Sequence, residues 1–307
     1  MVTPAGIAGV RVAHDGAVTS RLGVIFRPDF PPAELRRVAT EAEAAGVDEL
    51  WLWEDCFQQG GVAQVAIALA ATERLDVGIG LIPAPLRNVA AAAMEFATLD
   101  AMFPGRTRVA VGHGVQSWMR QAGAAVESPL TLLREYVTAL RALLAGEEVT
   151  TAGRYVRLAQ VRLEFPSPQP YPVLIGGTGP KTLRLAGEIA DGVLLDSRYS
   201  THTVTEALAL VTAGRATPGA AGRFSTTLFL ACAPGDDAER LLAEEATRQH
   251  VPTPGVFGVG GTAQQIADGL TPYLGAGVDA VALQPIGSAD GMTELIAAAG
   301  RVRPLVS

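Results

Sequence analysis

Short apolar segments alternate with segments of helical periodicity along most of the chain. Eight segments are predicted as strands, at residues 22–26, 49–53, 76–82, 106–111, 173–175, 192–196, 225–233 and 279–284. Strands that are apolar on both faces are typical of a sheet covered on both sides, and helices between successive strands imply parallel pairing. Eight such units in 307 residues predict an α/β fold, a closed (β/α)8 TIM barrel, with an open doubly wound sheet as the alternative.

The predicted helices follow these strands in order. They cover residues 32–45, 63–72, 89–102, 129–144, 181–190, 203–214, 236–249, 262–274 and 292–302. The pattern changes before the fifth strand, where residues at about 150–170 predict an antiparallel insertion that ends in PSPQPYP. We therefore expect a single domain over residues 1–307, with its barrel core at 22–303.

Charge and cysteine content exclude several classes of function. The formal net charge is −7 and no basic stripe is visible, so we expect no binding to nucleic acid. No apolar run is long enough to cross a bilayer, and the first residues lack the pattern of a signal peptide. The two cysteines, Cys56 and Cys232, form neither a metal-ligand spacing nor a disulfide framework. These features predict a cytoplasmic protein without a metal site.

In a barrel of this kind, reactive side chains follow the C-terminal ends of the strands. The acid pair Glu54 and Asp55 after the second strand could transfer protons, or could cap the next helix. Capping is the less natural interpretation, because that helix is predicted to begin several residues later. Cys56 is interpreted as a packed thiol rather than a nucleophile. His113 lies between two glycines directly after the fourth predicted strand, and this position favours a role in the active site.

The fifth strand ends in a glycine-rich turn. Residues Gly176, Gly177, Thr178 and Gly179 precede a predicted helix, and Lys181, the only lysine of the chain, opens it. Bare backbone amides at the start of a helix are suited to binding a phosphate. The same glycines also suit any tight turn between a strand and a helix. The local sequence leaves both interpretations open.

Several stretches in this order resemble the luciferase-like flavin and deazaflavin oxidoreductase family. They are GVDELWLWEDCF, GLIPAPLRNVAAAAMEFATLDAMFPGR, VAVGHGVQSWM, PVLIGGTGPKTLRLAGEIADGVLL, and GVGGTAQQIADGL followed by GAGVDAVAL. The resemblance extends over about residues 22–283, and the order and spacing of the motifs are more specific than any motif alone.

The resemblance implies a redox enzyme that binds coenzyme F420 or FMN, with the cofactor ring in the barrel mouth. Family members often have a bulge with a non-proline cis peptide at the end of the third strand, where Gly80, Leu81 and Ile82 lie here. The cofactor phosphate would bind at the glycine-rich turn, residues 176–179. Cys56, Gly112 and His113 are the other predicted cofactor contacts.

The favoured function is hydride transfer between F420 and a small organic substrate, with Glu54 and Asp55, then His113, as proton donors. One alternative is an FMN-dependent monooxygenase, which needs oxygen and a flavin reductase as partner. Another is a flavin-binding barrel without catalysis. The resemblance also favours a homodimer. Four arginines near the mouth could meet the acidic tail of F420, or could each be solvated or paired within the protein: Arg27, Arg87, Arg120 and Arg198.

The sequence departs from the sugar-phosphate dehydrogenases of this family at two places. Those enzymes have an Asp-His pair after the second strand, where this chain has Asp55 and Cys56, or Glu54 and Asp55 if the register shifts by one residue. They have an acid after the glycines of the fourth strand, where this chain has Val115. We therefore expect a small, partly apolar and uncharged substrate, surrounded by the aromatic and apolar residues near the mouth: Trp53, Phe57, Leu86 and Trp118.

Overall fold

The computed structural model describes residues 20–217, 222–251 and 257–306. Its strands are β1 (Arg21–Ile25), β2 (Glu49–Leu52), β3 (Asp76–Pro83), β4 (Thr107–Gly112), β5 (Val149–Ala152), β6 (Arg157–Val161), β7 (Val173–Gly176), β8 (Gly192–Leu195), β9 (Ser225–Pro234), β10 (Val259–Gly261) and β11 (Ala280–Pro285). Its α-helices are α1 (Leu35–Ala44), α2 (Gly61–Ala70), α3 (Val89–Met102), α4 (Gln116–Gln121), α5 (Pro129–Leu144), α6 (Pro180–Ile189), α7 (Thr201–Arg215), α8 (Ala238–Arg248), α9 (Ala263–Gly275) and α10 (Met292–Val302).

Eight parallel strands close into a barrel. Their order is β1-β2-β3-β4-β7-β8-β9-β11, and β11 pairs with β1 to complete the circle. The prediction of a (β/α)8 TIM barrel is confirmed, and the open sheet considered as an alternative is wrong. Because the barrel is closed, each of its eight strands pairs with a neighbouring strand on both sides. The helices cover the outside of the barrel.

Three predicted helices, α3, α5 and α10, have the bounds expected from the sequence, whereas other boundaries shift by one to three residues. Two elements were missed. Helix α4 has six residues, too few to show a helical period. Strand β10 is a glycine-rich segment of three residues that pairs with the end of β9, beyond the part of β9 that β8 covers. The first 19 residues of the predicted domain lie outside the described residues.

The antiparallel insertion is confirmed as the hairpin β5–β6, and a single carboxylate on α5 holds its turn. Glu135 accepts hydrogen bonds from the backbone N–H groups of Arg154, Tyr155 and Val156 at 2.9, 2.8 and 2.9 Å. These amide donors lower the pKa of Glu135 even though partial burial acts in the opposite direction.

The N-terminal ends of four neighbouring strands carry a network of ion pairs, which we call the basal network. Arg21 on β1 contacts Glu49 and Asp76 at 2.6 Å each, and Arg108 on β4 contacts the same two acids at 3.1 and 2.8 Å. Glu49 is only 2% exposed and also accepts a hydrogen bond from the indole of Trp51. Removal of one partner from such a buried network leaves an uncompensated charge, which costs about 3–5 kcal/mol.

Apolar side chains fill the barrel interior between this base and the mouth. They form one cluster, with Ile25, Trp51, Ala110, Leu174, Leu194, Phe229 and Ala282. Gly78 makes room for the large indole, because a Cβ atom there would lie 2.5 Å from the Trp51 ring. The barrel is therefore closed below its mouth, and a ligand can enter only at the C-terminal ends of the strands. No described helix is long and apolar enough to span a membrane.

Candidate active site

A cavity of about 480 Å³ opens at the C-terminal ends of the barrel strands. Aromatic and aliphatic residues from β2, β3, β8 and β9 contribute apolar surface to it, among them Trp53, Leu81, Leu194 and Phe229. The glycine-rich turn after β7 lines it with backbone, and polar side chains line the remainder. A mostly apolar cleft with a few converging polar groups is the usual form of a cofactor site.

The irregularity predicted at the end of β3 is present. Pairing with β4 passes from Gly80–Ala110 to Ile82–Val111, so Leu81 is left out of the ladder, and the peptide bond between Gly80 and Leu81 is cis. Leu81 fits there because the facing strands carry glycines. A Cβ atom on Gly112 or Gly176 would lie 2.5 or 2.6 Å from Leu81 Cδ2.

Two predicted cofactor contacts at these strand ends support the cavity from behind. Ile82 is fully buried, Gly112 packs against Leu81, and neither lines the cavity. Leu81 and Gly80 line it. Their positions therefore favour Gly80 and Leu81 as the cofactor-facing residues of this segment, with Ile82 and Gly112 holding them in place.

Glu54 is occupied by structural contacts. Its carboxylate receives two hydrogen bonds from the Arg87 guanidinium at 2.6 and 2.8 Å, and a third from the backbone N–H of Gly61 at 2.8 Å. Gly61 is the first residue of α2, so Glu54 does satisfy the start of that helix. The N-cap residue of α2 is Gly60, and the Glu54 carboxylate reaches the helix because the intervening loop folds back onto the strand end. A carboxylate with these three donors is poorly placed to exchange protons.

Asp55, the neighbouring acid, differs from Glu54 in its surroundings. Burial raises the pKa of its carboxyl group, and a hydrogen bond from the Trp53 side chain offsets this only in part. The nearby Asp29 raises the pKa further, while Arg27 lowers it. Asp55 lines the cavity and forms no ion pair with a described residue. Of the predicted proton donors, it is the one whose environment fits that role.

Cys56 does not line the cavity, so its predicted contact with the cofactor is not favoured by its position. Burial and the neighbouring Asp55 and Glu54 carboxylates raise the pKa of its thiol. The reactive thiolate is therefore disfavoured, in agreement with its interpretation as a packed thiol. The following peptide bond to Phe57 is also cis, which the sequence did not predict. Phe57 is 68% exposed, and neither it nor Leu86 lines the cavity as expected.

The glycine-rich turn presents unsatisfied backbone donors to the cavity. Helix α6 begins at Pro180, and Gly179 precedes it in an extended conformation with φ −71° and ψ 140°. No described residue accepts a hydrogen bond from the N–H groups of Thr178, Gly179 or Lys181. Lys181 is exposed and has no ion-pair partner among the described residues. Unpaired amides at the positive end of a helix dipole form an anion site.

His113 lines the same cavity and contacts α6. Its Nε2 lies 2.9 Å from Thr182 Oγ1. Burial lowers the pKa of His113, and a hydrogen bond from the imidazole to the backbone carbonyl of Pro129 offsets this only in part. The imidazole is therefore held neutral near pH 7, which makes it a weaker proton donor than Asp55.

The four arginines predicted near the mouth fall into two groups. Arg27 pairs with Asp29, Arg87 with Glu54, and Arg198 with Asp196. Arg120 is exposed on α4 and has no ion-pair partner in the described part of the chain. Arg120 and Lys181 are thus the cations near the mouth that are left for a charged ligand tail.

Sequence reasoning missed several lining residues, namely Thr182, Leu194, Asp196, Phe229 and Gln284. Gln284 lies near the C-terminal end of β11, so a search for polar residues at strand ends would have found it. Thr182 carries no such signal, because it lies inside a predicted helix and only the fold brings it to His113.

The chain also matches a family model described as luciferase-like monooxygenase over residues 9–264. The chain belongs to the luciferase-like monooxygenase family. The match covers most of the barrel and contains the cavity segments from β2, β3, β4 and β7.

Two curated proteins that resemble this chain are a reductase and an F420-dependent dehydrogenase. The chain is 30% identical over 177 residues to the 5,10-methylenetetrahydromethanopterin reductase of Methanolobus tindarius, covering 58% of this chain and 54% of that protein. It is 30% identical over 234 residues to the F420-dependent glucose-6-phosphate dehydrogenase of Beutenbergia cavernae, covering 71% of this chain and 69% of that protein. The chain thus spans about half the length of the first of these relatives.

Two solved structures share the fold at low sequence identity. The coenzyme F420-dependent tetrahydromethanopterin reductase from Methanopyrus kandleri has a TM-score of 0.79 and 19% identity, over 94% of this chain and 99% of that one. An F420-dependent secondary alcohol dehydrogenase in complex with an F420-acetone adduct has a TM-score of 0.82 and 20% identity, with the same coverage. At this identity the likeness establishes the barrel architecture.

Proposed function

We propose that this chain is an oxidoreductase that uses coenzyme F420 for hydride transfer to or from a small, uncharged organic substrate. The observation that carries the proposal is the pairing of two features in one cavity. Unsatisfied amides at Thr178, Gly179 and Lys181 offer an anion site, and the apolar surface around Leu81 offers a support for a planar ring. The F420-dependent glucose-6-phosphate dehydrogenase of Beutenbergia cavernae, a relative of this chain, supports this choice of cofactor.

The residues present fit such a group. The glycine-rich turn would hold its phosphate, and Gly80, Leu81 and Trp53 would contact its ring. Arg120 and Lys181 would meet the acidic tail, because the other arginines near the mouth are already paired. When bound, the deazaflavin ring supplies a site that accepts or releases hydride.

The chain itself supplies a proton, orientation and shelter from water. Burial raises the pKa of the Asp55 carboxyl group beside the cavity, which favours the neutral acid that can donate a proton. The Glu54–Arg87 pair and the Gly61 contact fix the loop that carries Asp55. Trp53, Trp118 and Phe229 exclude water from the adjoining space.

The charges of the cavity favour an uncharged substrate. Glu54 is neutralised by Arg87 and Asp196 by Arg198, so neither arginine is free to bind a second anion. Outside the proposed phosphate site, no unpaired Lys or Arg among the described residues lines the cavity. A phosphorylated sugar would therefore lack a counter-ion, as the departures at Cys56 and Val115 also suggest.

We also propose that the protein is a homodimer that buries the outer faces of α2 and α3. Helix α2 has the sequence GVAQVAIALA and contains no charged residue. Its Ile67 is 46% exposed, and Met94 and Met102 on α3 are 61% and 66% exposed. Exposed apolar residues on consecutive helices mark a surface that a second copy of the chain can cover.

The test is a fluorescence titration of the purified protein with F420 and, separately, with FMN. We expect saturable F420 binding and turnover with at least one member of a panel of imines, enones and alcohols. Binding of FMN alone would reject the proposal in favour of an FMN-dependent monooxygenase, which would require oxygen and a flavin reductase. Tight F420 binding without turnover of any panel member would favour a binding barrel without catalysis.

A further inference from the structure

We propose that Gln284 determines substrate specificity, because its side-chain amide donates a hydrogen bond to a neutral carbonyl oxygen of the substrate. This inference rests on the proposed function, since the substrate would bind beside the proposed cofactor in the same cavity. It narrows the uncharged substrate to a compound that carries a carbonyl group, such as a ketone or an enone.

Gln284 faces the mouth of the barrel from β11. Ala282, two residues earlier, belongs to the apolar cluster of the barrel interior, and alternate residues of a strand lie on the same face. Gln284 therefore faces the interior one step nearer the mouth, and it lines the cavity. It is half-buried, whereas the other residues of β11 are buried.

Gln284 lies on the side of the mouth that the proposed cofactor contacts leave free. Around the closed ring of strands, β11 is three strands from β7, which leads into the glycine-rich turn, and three strands from β3, which carries Leu81. The neighbours of β11 are β1 and β9, and Phe229 on β9 is level with Ala282 in the sheet register. A substrate beside the cofactor would therefore contact the Phe229 ring and the Gln284 amide.

The side-chain amide of Gln284 is available to a ligand. No hydrogen bond joins it to any other residue that the structure describes. Other uncharged polar side chains of the cavity are engaged, since His113 contacts Thr182. The Trp53 side chain likewise donates to Asp55. An amide offers two N–H donors without a charge, so it suits a neutral oxygen and cannot itself supply a proton for transfer.

Exclusion of water would make this free amide a basis for selection. When cofactor and substrate fill the cavity, water no longer satisfies the Gln284 N–H groups, and a buried donor without an acceptor is costly. A carbonyl oxygen supplies the acceptor, whereas a hydrocarbon of the same shape leaves the donor unpaired. The cavity should therefore reject the hydrocarbon by more than the loss of one favourable contact.

The hydrogen bond can be observed directly in ¹H–¹⁵N spectra of the F420-loaded protein. The side-chain amide signal of Gln284 is assigned by its absence from Gln284→Met. The probes are cyclohexanone and cyclohexene, which are similar in size but differ in the carbonyl group. We expect cyclohexanone to move one Gln284 amide proton downfield and cyclohexene to leave it in place. Equal shifts with the two compounds, or no shift with either, would overturn the proposal.

Kinetics test the consequence for selectivity. Gln284→Met keeps the length of the side chain without its amide, and Gln264→Met makes the same change on the exposed face of α9, where the amide donates to Asp268. With ketones and enones, we expect Gln284→Met to lower kcat/KM about fivefold, with the dissociation constant of F420 within about twofold of wild type. Gln264→Met should match wild type in both. Unchanged kcat/KM in Gln284→Met, or an equal weakening of F420 binding, would refute the role of the amide.

Failure of the proposed function would give a different result. A wild-type protein that binds neither F420 nor FMN would reject that function, and the Gln284 amide signal could still be followed in the unloaded protein. There, a shift with cyclohexanone alone would support the carbonyl site, and no shift would reject it as well. Thermal unfolding of Gln284→Met should match that of wild type, because the amide has no partner in the described part of the chain. A clearly lower midpoint would show that the amide is engaged within the fold and would overturn the proposal.

Discussion

Replacement of Gly179 by aspartate should separate the stability of the fold from its ability to bind an anion. Gly179 precedes α6 with φ −71° and ψ 140°, a conformation that any residue adopts at a helix N-cap. A Cβ atom there meets nothing closer than Thr182 Oγ1 at 3.7 Å. The new carboxylate can accept a hydrogen bond from the first turn of α6, so we expect stability to stay equal or rise by a few tenths of a kcal/mol.

The same carboxylate should prevent phosphate binding. Two unit charges about 4 Å apart repel by about 1 kcal/mol in bulk water and about 4 kcal/mol at the effective dielectric of a protein surface. Because about 1.4 kcal/mol corresponds to a tenfold change in affinity, this predicts a loss of F420 binding of about 5-fold to 1000-fold. The carboxylate would also accept from amides that otherwise face the ligand.

The matched control is Gly179→Asn, which has the same shape and capping ability but no charge. Fluorescence titration gives the dissociation constant of each variant, and thermal unfolding gives its stability. We expect Gly179→Asn to bind F420 at least about fivefold more tightly than Gly179→Asp at low ionic strength, and we expect this difference in affinity to narrow as salt is added. Equal affinities for the two variants would show that no anion binds at this turn.

Asp55→Asn should lower kcat by a larger factor than it raises the dissociation constant of F420. Stopped-flow measurements of turnover and of F420 binding test this, and an unchanged kcat in Asp55→Asn would show that Asp55 does not transfer a proton. In the wild-type protein, the pKa of Asp55 is raised above the ordinary aspartate value, and we expect the rate of substrate reduction to fall as the pH rises through this pKa. This fall in rate should be absent from the pH profile of Asp55→Asn. Glu49→Gln should lower the free energy of unfolding, measured by urea denaturation, by about 3 kcal/mol. The matched control Glu41→Gln, which removes a more exposed ion pair, should lower it by about 0.5 kcal/mol. Equal losses in the two variants would contradict a buried network. Met94→Glu should produce monomers in light scattering while Phe165→Glu, also exposed, does not; monomeric wild type would refute the proposed dimer.

The barrel was predictable because its information is local and repeated. Each strand of four to ten residues is apolar, and each long helix has a continuous buried face, as in α5 with Leu133, Tyr136, Val137 and Leu140. The sequence of the six-residue α4 holds less than two turns, so no period could reveal it. Strand β10 has two glycines in three residues, and only its partner β9 makes it a strand.

The site was predictable at the level of strand ends and less so at the level of individual contacts. Asp55, His113 and the glycine-rich turn were expected near one another because each follows a predicted strand, and all three line one cavity. The roles of adjacent acids depend on partners distant in sequence, since Glu54 is bound by Arg87, 33 residues away. The bulge at Leu81 was expected from the family resemblance, and the residues alone did not indicate it. The Thr182 contact joins positions separated by 69 residues, which only the closed barrel brings together.

The basal network ties β1, β2, β3 and β4 together at the end of the barrel away from the cavity. Substitutions in the loops at the cavity can therefore change substrate specificity without separating the strands. The N-terminal ends of these strands are held together by ion pairs that do not contact the cavity. A laboratory selection for new substrates should accumulate its changes at the exits of β2, β4, β8 and β11 and leave Arg21, Glu49, Asp76 and Arg108 intact.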